Sequence, residues 1–274
     1  MKNIETEYFG PPRRPWQILS GTGIKIAGII LMTMDHLHQM FIAQGAPNWL
    51  NWFGRPVAVM FVFLSAEGFF YTHHKWRYML QFLTGFLFMS AMNLTLSTLM
   101  PMEYIALINN IFGTLFMAAF YMWNIDRIRD GLNDKNPAKI LGAIGGFLLP
   151  FITSLAVILA IQSENRTVAM ISLFIPDLLS VEGGFALVLL GAAFYVLRKY
   201  RFVQAVLVLA VSALSWYFSK DSADLGNFQW LMVFAVIPIL LYNGKRGKGI
   251  KYFFYIFYPA HIYILYCAAW FLRG

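Results

Sequence analysis

Cysteine and charge are the two things that this chain has least of. Cys267 is the single cysteine among 274 residues, which rules out an internal disulfide and any metal site built from several cysteines. Asp, Glu, Lys and Arg together make up 12% of the residues, about half of the share that is usual in soluble domains. With 59% of the residues hydrophobic, the composition excludes a large soluble domain and predicts an integral membrane protein.

Familiar catalytic motifs are missing as well. The sequence contains no glycine-rich phosphate loop, no GxSxG nucleophile elbow and no HExxH zinc motif. The net charge of +8 does not indicate a nucleic-acid partner, because the Lys and Arg residues form short clusters between apolar segments. That arrangement is typical of membrane topology, so the lipid bilayer is the expected surrounding.

Apolar runs follow one another through nearly the whole sequence. A transmembrane helix needs roughly 20 mostly apolar residues. The runs predict an all-α bundle of nine transmembrane passes in one integral membrane domain, residues 24–272. The predicted passes are 24–42, 57–71, 79–99, 105–123, 140–161, 168–197, 203–218, 228–242 and 252–272.

The sixth run is too long for one plain helix and contains the segment "FIPDLLSVEGGFAL". Pro176, Asp177, Glu182 and the pair Gly183-Gly184 predict a broken or re-entrant helix near residues 176–184. Irregular backbone at membrane depth survives only inside protein or beside water. If this run instead makes two full passes, the total is ten.

The basic clusters fall in alternate connections, before the first predicted pass and after the second, fourth, sixth and eighth. The positive-inside rule therefore places the N-terminus in the cytosol. Residues 1–23 contain Glu5, Glu7 and PPRRP and lack the apolar core of a signal peptide, so they are predicted to form a cytosolic tail.

Asp35, His36 and His261 are titratable residues inside otherwise apolar passes. From the rise of a helix, all three are expected at the same depth, roughly 15 Å from the cytosolic end. Inserting an ionisable group at the bilayer centre costs roughly 2.5–3.5 kcal/mol, so a set of three at one depth predicts a functional site. A lone histidine such as His38 is better explained by a hydrogen bond that stabilises packing.

Neighbouring residues on a helix point about 100° apart, so Asp35 and His36 are not expected to pair with each other. Each should face a different partner, and His261 or Arg55 is expected to pair with one of them. His36 and His38 also diverge, which disfavours chelation within this helix. A zinc site formed by His36, His261 and Asp35 is kept as an alternative.

Three blocks resemble the TraX family, which is named for a membrane acetylase of the F-pilin N-terminus. They are "IKIAGIILMTMDHLHQMF", "WFGRPVAVMFVFLSAEGFFYT" and "KYFFYIFYPAHIYILY", in that order along the chain. The resemblance implies a polytopic acetyltransferase of the bacterial cytoplasmic membrane that uses cytosolic acetyl-CoA. The TraX family is in turn related to wider groups of multi-pass acyltransferases. The implied acceptor is an amine or hydroxyl on a peptide, lipid or glycan.

The resemblance points to Asp35, His36 and His261 as catalytic residues, and to Arg55 and Glu67 at the acceptor. Asn93 and Glu182 join the acceptor group because their predicted depth is similar to that of Arg55. An unperturbed imidazole titrates near neutrality, so His36 is the expected base, oriented by Asp35 or His261. Direct transfer and an acetyl-histidine intermediate both remain open, and no metal is expected.

Two basic clusters are candidates for the phosphates of CoA, with positive-inside topology as the alternative explanation. Their members are Arg198, Lys199, Arg201, Lys245, Arg246 and Lys248. Two other functions compete with acetyl transfer. A proton-coupled transporter would use Asp35 and His261 as a relay and the broken sixth pass as a substrate site. A membrane scaffold would need His36 only for stability.

Overall fold

The computed structural model describes residues 14–103, 105–219 and 228–272, so residues 1–13 of the predicted tail lie outside the described part. Regular structure in the described residues is helical, apart from an isolated bridge between Leu19 and Tyr242. The α-helices are α1 (Gly21–Phe41), α2 (Arg55–Tyr71), α3 (Lys75–Leu99), α4 (Ile111–Asn133), α5 (Pro137–Gln162), α6 (Arg166–Ser172), α7 (Gly184–Val196), α8 (Arg201–Ser219), α9 (Val236–Leu241) and α10 (Lys251–Phe271). Short 3₁₀ segments lie at Ile42–Gln44, Asn48–Gly54 and Gln229–Ala235.

The predicted all-α membrane fold is confirmed. Within the described residues, six helical segments are long and apolar enough to cross a membrane: Gly21–Gln44, Asn48–Tyr71, Lys75–Leu99, Pro137–Gln162, Arg201–Ser219 and Tyr252–Phe271. Gly184–Val196 and Gln229–Leu241 are apolar but shorter. The total of nine or ten passes therefore stays a prediction.

The sixth predicted pass is broken, as its sequence indicates. α6 ends at Ser172 and α7 begins at Gly184, with irregular backbone between them. The buried Asp177 holds this segment, because its Oδ1 accepts hydrogen bonds from the backbone N–H groups of Leu179 and Ser180 and from the Ser154 hydroxyl, at 2.9–3.0 Å. Gly183 and Gly184 have φ values of 74° and 55°, a backbone conformation that residues with a side chain rarely adopt.

The fourth predicted pass was wrong at its start. The prediction is 105–123, whereas α4 begins at Ile111 and continues to Asn133. Polar groups hold the backbone just before α4. The Asn93 amide donates to Asn109 O, and Asn110 N donates to Glu182 Oε2 at 3.1 Å. Hydropathy alone detects none of these bonds.

The described chain divides into two compact units. The first unit contains residues 14–64 and 196–272. In it, α1 and α10 pack side by side. Lys25 of α1 lies over the Phe254 ring of α10, and further along both helices His36 contacts His261, so the two helices run parallel. The prediction that these two histidines lie at one level is thereby confirmed.

The second unit contains residues 65–195. Its core is built by α4, the irregular segment before α7, and α7. The buried members are Met117, Tyr121, Leu178, Val181, Val188 and Ala192. In the last turn of α7, the Tyr195 hydroxyl donates to Asp126 Oδ1 at 2.5 Å, and Arg129 lies 3.6 Å from the same carboxylate oxygen. The prediction of a single integral domain stays a prediction.

Asp177→Ala is expected to lower the free energy of unfolding by about 1–3 kcal/mol, because buried donors lose their acceptor. Asp177→Asn keeps an amide oxygen at that position and should lose much less. Thermal melting in detergent measures both. Glu164→Ala, at an exposed acidic residue before α6, is the control. Equal losses for Asp177→Ala and Glu164→Ala would contradict this role of Asp177.

Candidate functional site

His36 and His261 form a buried pair that joins α1 to α10. Nδ1 of His36 lies 2.7 Å from Nε2 of His261, and the two rings are stacked with 17° between their planes. The residues are 3% and 7% exposed. A second ring, that of Phe257, stacks on His261 from the preceding turn of α10. The imidazoles are therefore fixed in position by packing as well as by the bond between them.

A backbone carbonyl sets the protonation pattern of the pair. His261 Nδ1 lies 2.8 Å from Phe257 O, which can only accept, so this nitrogen carries the proton. When His261 is neutral, its Nε2 is then the acceptor, and the bond at 2.7 Å is donated by His36 Nδ1. A neutral His36 consequently presents Nε2 as its basic nitrogen. In the neutral pair, both Nδ1 atoms therefore carry protons, and His261 Nε2 accepts the bond from His36.

Asp35 does not contact the histidine pair through a described bond but forms an ion pair with Arg55. Arg55 Nη2 donates to Asp35 Oδ1 at 3.1 Å. The prediction that Asp35 and His36 take different partners, found in Arg55 and His261, is confirmed. Of the two residues considered for orienting His36, the contact is made by His261.

Arg55, the first residue of α2, is held on several sides. Its Nη2 also donates to Asn51 Oδ1 at 2.5 Å, its Nε donates to Asn51 O, and its Nη1 donates to Gln229 Oε1 at 3.2 Å. These described bonds engage four of its five N–H groups. Arg55 remains 30% exposed at its side chain, so the cation is fixed without being sealed off.

Gly54 allows this ion pair to form. The 3₁₀ segment Asn48–Gly54 packs along α1, and a Cβ at Gly54 would collide with the Asp35 carboxyl group. His38 attaches the other end of the segment to α1, because its Nε2 lies 3.1 Å from Asn48 Oδ1. The expectation that His38 has a packing role agrees with this bond.

Asn51, Gly54 and Gln229 were missed by the sequence analysis. Asn51 and Gly54 lie within four residues of Arg55, so their closeness in sequence to this half-buried arginine is a signal for both. Gln229 gave no such signal, because it is 174 positions away in sequence.

The other predicted acceptor residues belong to the second unit. Asn93 and Glu182 both bond to the Asn109–Asn110 stretch, and Glu182 O also accepts from the Thr114 hydroxyl at 2.6 Å. Glu67 is buried in α2. Of the predicted acceptor residues, Arg55 alone belongs to the first unit, where it forms the ion pair with Asp35.

The predicted phosphate-binding residues belong to the first unit and differ in exposure. The Arg201 guanidinium lies over the rings of Phe63 and Tyr242, 4.9 Å from each centroid, and donates to Gln204 Oε1. Arg198 is half-buried and Lys199 is exposed. Lys245, Arg246 and Lys248 are all exposed in the connection between α9 and α10.

Metal binding finds no ready cluster in the described part of the chain. No group of three or more His, Cys, Asp or Glu side chains there is placed to hold one ion. For the zinc alternative this means that His36, His261 and Asp35 do not converge, because the carboxylate lies against Arg55.

Comparison with known proteins identifies a family. A family model described as "TraX protein" matches residues 20–269, which include all the residues of both pairs. No curated protein and no solved structure matches the chain.

Gly54→Ala is expected to destabilise the protein by roughly 1–3 kcal/mol, because the added methyl group displaces the Asp35 carboxylate from Arg55. Gly23→Ala is the matched control, since a Cβ there meets only ordinary van der Waals contacts at 3.6 Å and beyond. Thermal melting of both purified variants in detergent checks this. Equal melting temperatures would show that Gly54 does not constrain the ion pair.

Proposed function

The chain belongs to the TraX family, and on that premise we propose that it is a membrane-embedded acetyltransferase. In this proposal it moves the acetyl group of cytosolic acetyl-CoA to an acceptor amine or hydroxyl at or across the membrane. A peptide amino terminus is the acceptor class that the family resemblance favours. The observation that carries the proposal is the His36–His261 pair with its protonation fixed by Phe257 O.

Acetyl transfer to an amine needs a base, because an α-amino group is largely protonated near neutral pH and its nucleophilic form must lose a second proton on reaction. His36 supplies that base at Nε2. His261 then stabilises the imidazolium of His36, because its Nε2 accepts a hydrogen bond from His36 Nδ1. Its own Nδ1 keeps its proton, which is donated to Phe257 O. The pair therefore works as a base with an orienting partner, which is the general arrangement of acyl-transfer sites.

The proposed transfer is direct. The acceptor nitrogen or oxygen forms a bond to the thioester carbonyl carbon while His36 Nε2 takes the acceptor proton. The C–S bond then breaks, and the CoA thiolate leaves and takes the proton back from His36, which restores the starting pair. Trapping of an acetyl group on His36 would replace this scheme with a two-step transfer.

Arg55 and Asp35 are proposed to position the acceptor. Arg55 is fixed by Asp35, Asn51 and Gln229, and part of its side chain is exposed. A preorganised cation beside a basic site can hold a carbonyl or carboxylate of the acceptor without moving during the reaction. Because Asp35 balances its charge, the guanidinium does not need a permanent anion from the substrate.

The first test is transfer of radiolabelled acetyl from acetyl-CoA in inside-out membrane vesicles. Label on a peptide, lipid or glycan that depends on the protein supports the proposal and identifies the acceptor class. A pH-gradient-dependent solute flux without any transfer would instead support the proton-coupled transporter.

His36→Asn is expected to lower kcat for acetyl transfer by about 10²–10⁴-fold, the usual contribution of a general base. Asparagine retains a donor near the position of Nδ1 but has no basic nitrogen. His38→Gln, at the other buried histidine of α1, is the control and should retain activity. Equal activity of both variants at equal folded protein would remove His36 from the mechanism.

His261→Gln is expected to keep most of the activity, because the glutamine Oε1 can accept from His36 Nδ1 in place of Nε2. His261→Ala should lower kcat about tenfold or more, since the hydrogen bond to the developing cation is lost. The ratio of the two activities is the measurement. Similar losses in both variants would assign His261 a role beyond orienting His36.

A further inference from the structure

The connection between α9 and α10 is a basic loop, defined here as Asn243–Ile250 with the sequence NGKRGKGI. Lys245, Arg246 and Lys248 in it are exposed. Gly244 and Gly247 have φ values of 76° and 79°, a backbone conformation that glycine permits. The loop thus has a defined path with three cations on its outer side.

The carbonyl groups of the basic loop are bound by the start of α1. Gly21 N donates to Lys245 O at 2.8 Å, and Thr22 N donates to Arg246 O at 2.9 Å. The Thr22 hydroxyl donates to Lys248 O at 2.7 Å and lies 3.0 Å from Arg246 O. Since these acceptors are turned toward α1, the exposed side of the loop is dominated by its positive charges.

Further contacts hold the start of the basic loop in place. Asn243 N donates to Leu19 O at 2.8 Å, and the Asn243 side chain accepts from Lys245 N. Tyr242, just before the loop, is buried and lies against Arg201. A cationic loop that serves topology alone needs charge but no such fixed backbone, so the fixed backbone favours a ligand.

We propose that the basic loop binds the phosphate groups of CoA, at the 3′-phospho-ADP end of the molecule. This inference rests on the proposed acetyltransferase function and names the site for its donor. Lys and Arg side chains bind phosphate through charge-assisted hydrogen bonds, and successive N–H groups beside left-handed glycines form anion-binding concavities. Arg201 is assigned to packing instead, because its guanidinium contacts two rings and binds Gln204.

The length of CoA matches the distance from this loop to the proposed base. His36 lies fifteen residues beyond Gly21, or about 22 Å along α1. His261 lies ten residues beyond Lys251, or about 15 Å along α10. An extended pantetheine arm has the length of roughly five extended residues, about 17 Å. Phosphates on the loop therefore leave the thioester near the level of the histidine pair.

The test measures binding of CoA, not its turnover, to purified protein in nanodiscs of neutral phosphatidylcholine. The triple variant Lys245→Ala, Arg246→Ala, Lys248→Ala is expected to bind CoA about tenfold more weakly. The wild type should bind dephospho-CoA, which lacks the 3′-phosphate, more weakly than CoA. The triple variant should bind the two ligands equally well. Lys135→Ala with Lys139→Ala removes charge from another basic connection and should leave both affinities unchanged.

A second pair of variants keeps every charge. Thr22→Val removes the hydroxyl that binds Lys248 O and should weaken CoA binding several-fold, because the loop loses part of its support. Thr33→Val is the matched control on the same helix, since its hydroxyl donates to Ile29 O within α1. Equal CoA affinity of these two variants and the wild type, together with an unaffected triple variant, would overturn the loop site.

The outcomes separate the two proposals. If the wild type binds CoA and the loop variants bind it equally well, the loop site is wrong while the acetyltransferase remains supported. If the wild type binds no CoA and transfers no acetyl group, both proposals fall. If the triple variant loses binding to vesicles with phosphatidylglycerol but not to CoA, the loop binds lipid headgroups and the CoA site is overturned.

Discussion

The hydrogen bond between His36 and His261 is the interaction on which the first unit depends. It joins two residues 225 positions apart and brings the first and last helices of the chain to one level. In an apolar surrounding an unpaired imidazole would lose the hydrogen bonds that water supplies, so each histidine needs the other. The same requirement that stabilises the helix pair also fixes which nitrogen of His36 is basic.

Several other buried or half-buried polar groups are paired in the same way. Asp35 is matched by Arg55, Arg55 by Asn51 and Gln229, and in the second unit Asp177 is matched by Ser154 and backbone N–H groups. Some of these matches are local, as between Arg55 and Asn51, and others join segments that are distant in sequence, as between Arg55 and Gln229. Polar residues therefore define where irregular backbone is tolerated, at the 3₁₀ segment before α2 and in the break before α7.

The sequence predicted these features to the extent that each is local or follows from helix geometry. Constant rise per residue places His36 and His261 at one level, and the angle between neighbours separates Asp35 from His36. Proline and paired glycines mark the break before α7. The start of α4 and the role of Gln229 escaped, because the bonds to Asn110 and Arg55 join segments that no periodicity relates.

The two ends of α1 carry the two halves of the proposed reaction. Its first turn binds the carbonyl groups of the basic loop, and its sixteenth residue is the proposed base. A straight helix has a fixed length per residue, so it holds a phosphate-binding loop and a basic nitrogen at a constant separation. α10 begins directly after the same loop and supplies His261, so both helices connect the loop to the histidine pair. A donor with a long flexible arm between its phosphates and its thioester is the kind of ligand that such a pair of parallel helices can orient.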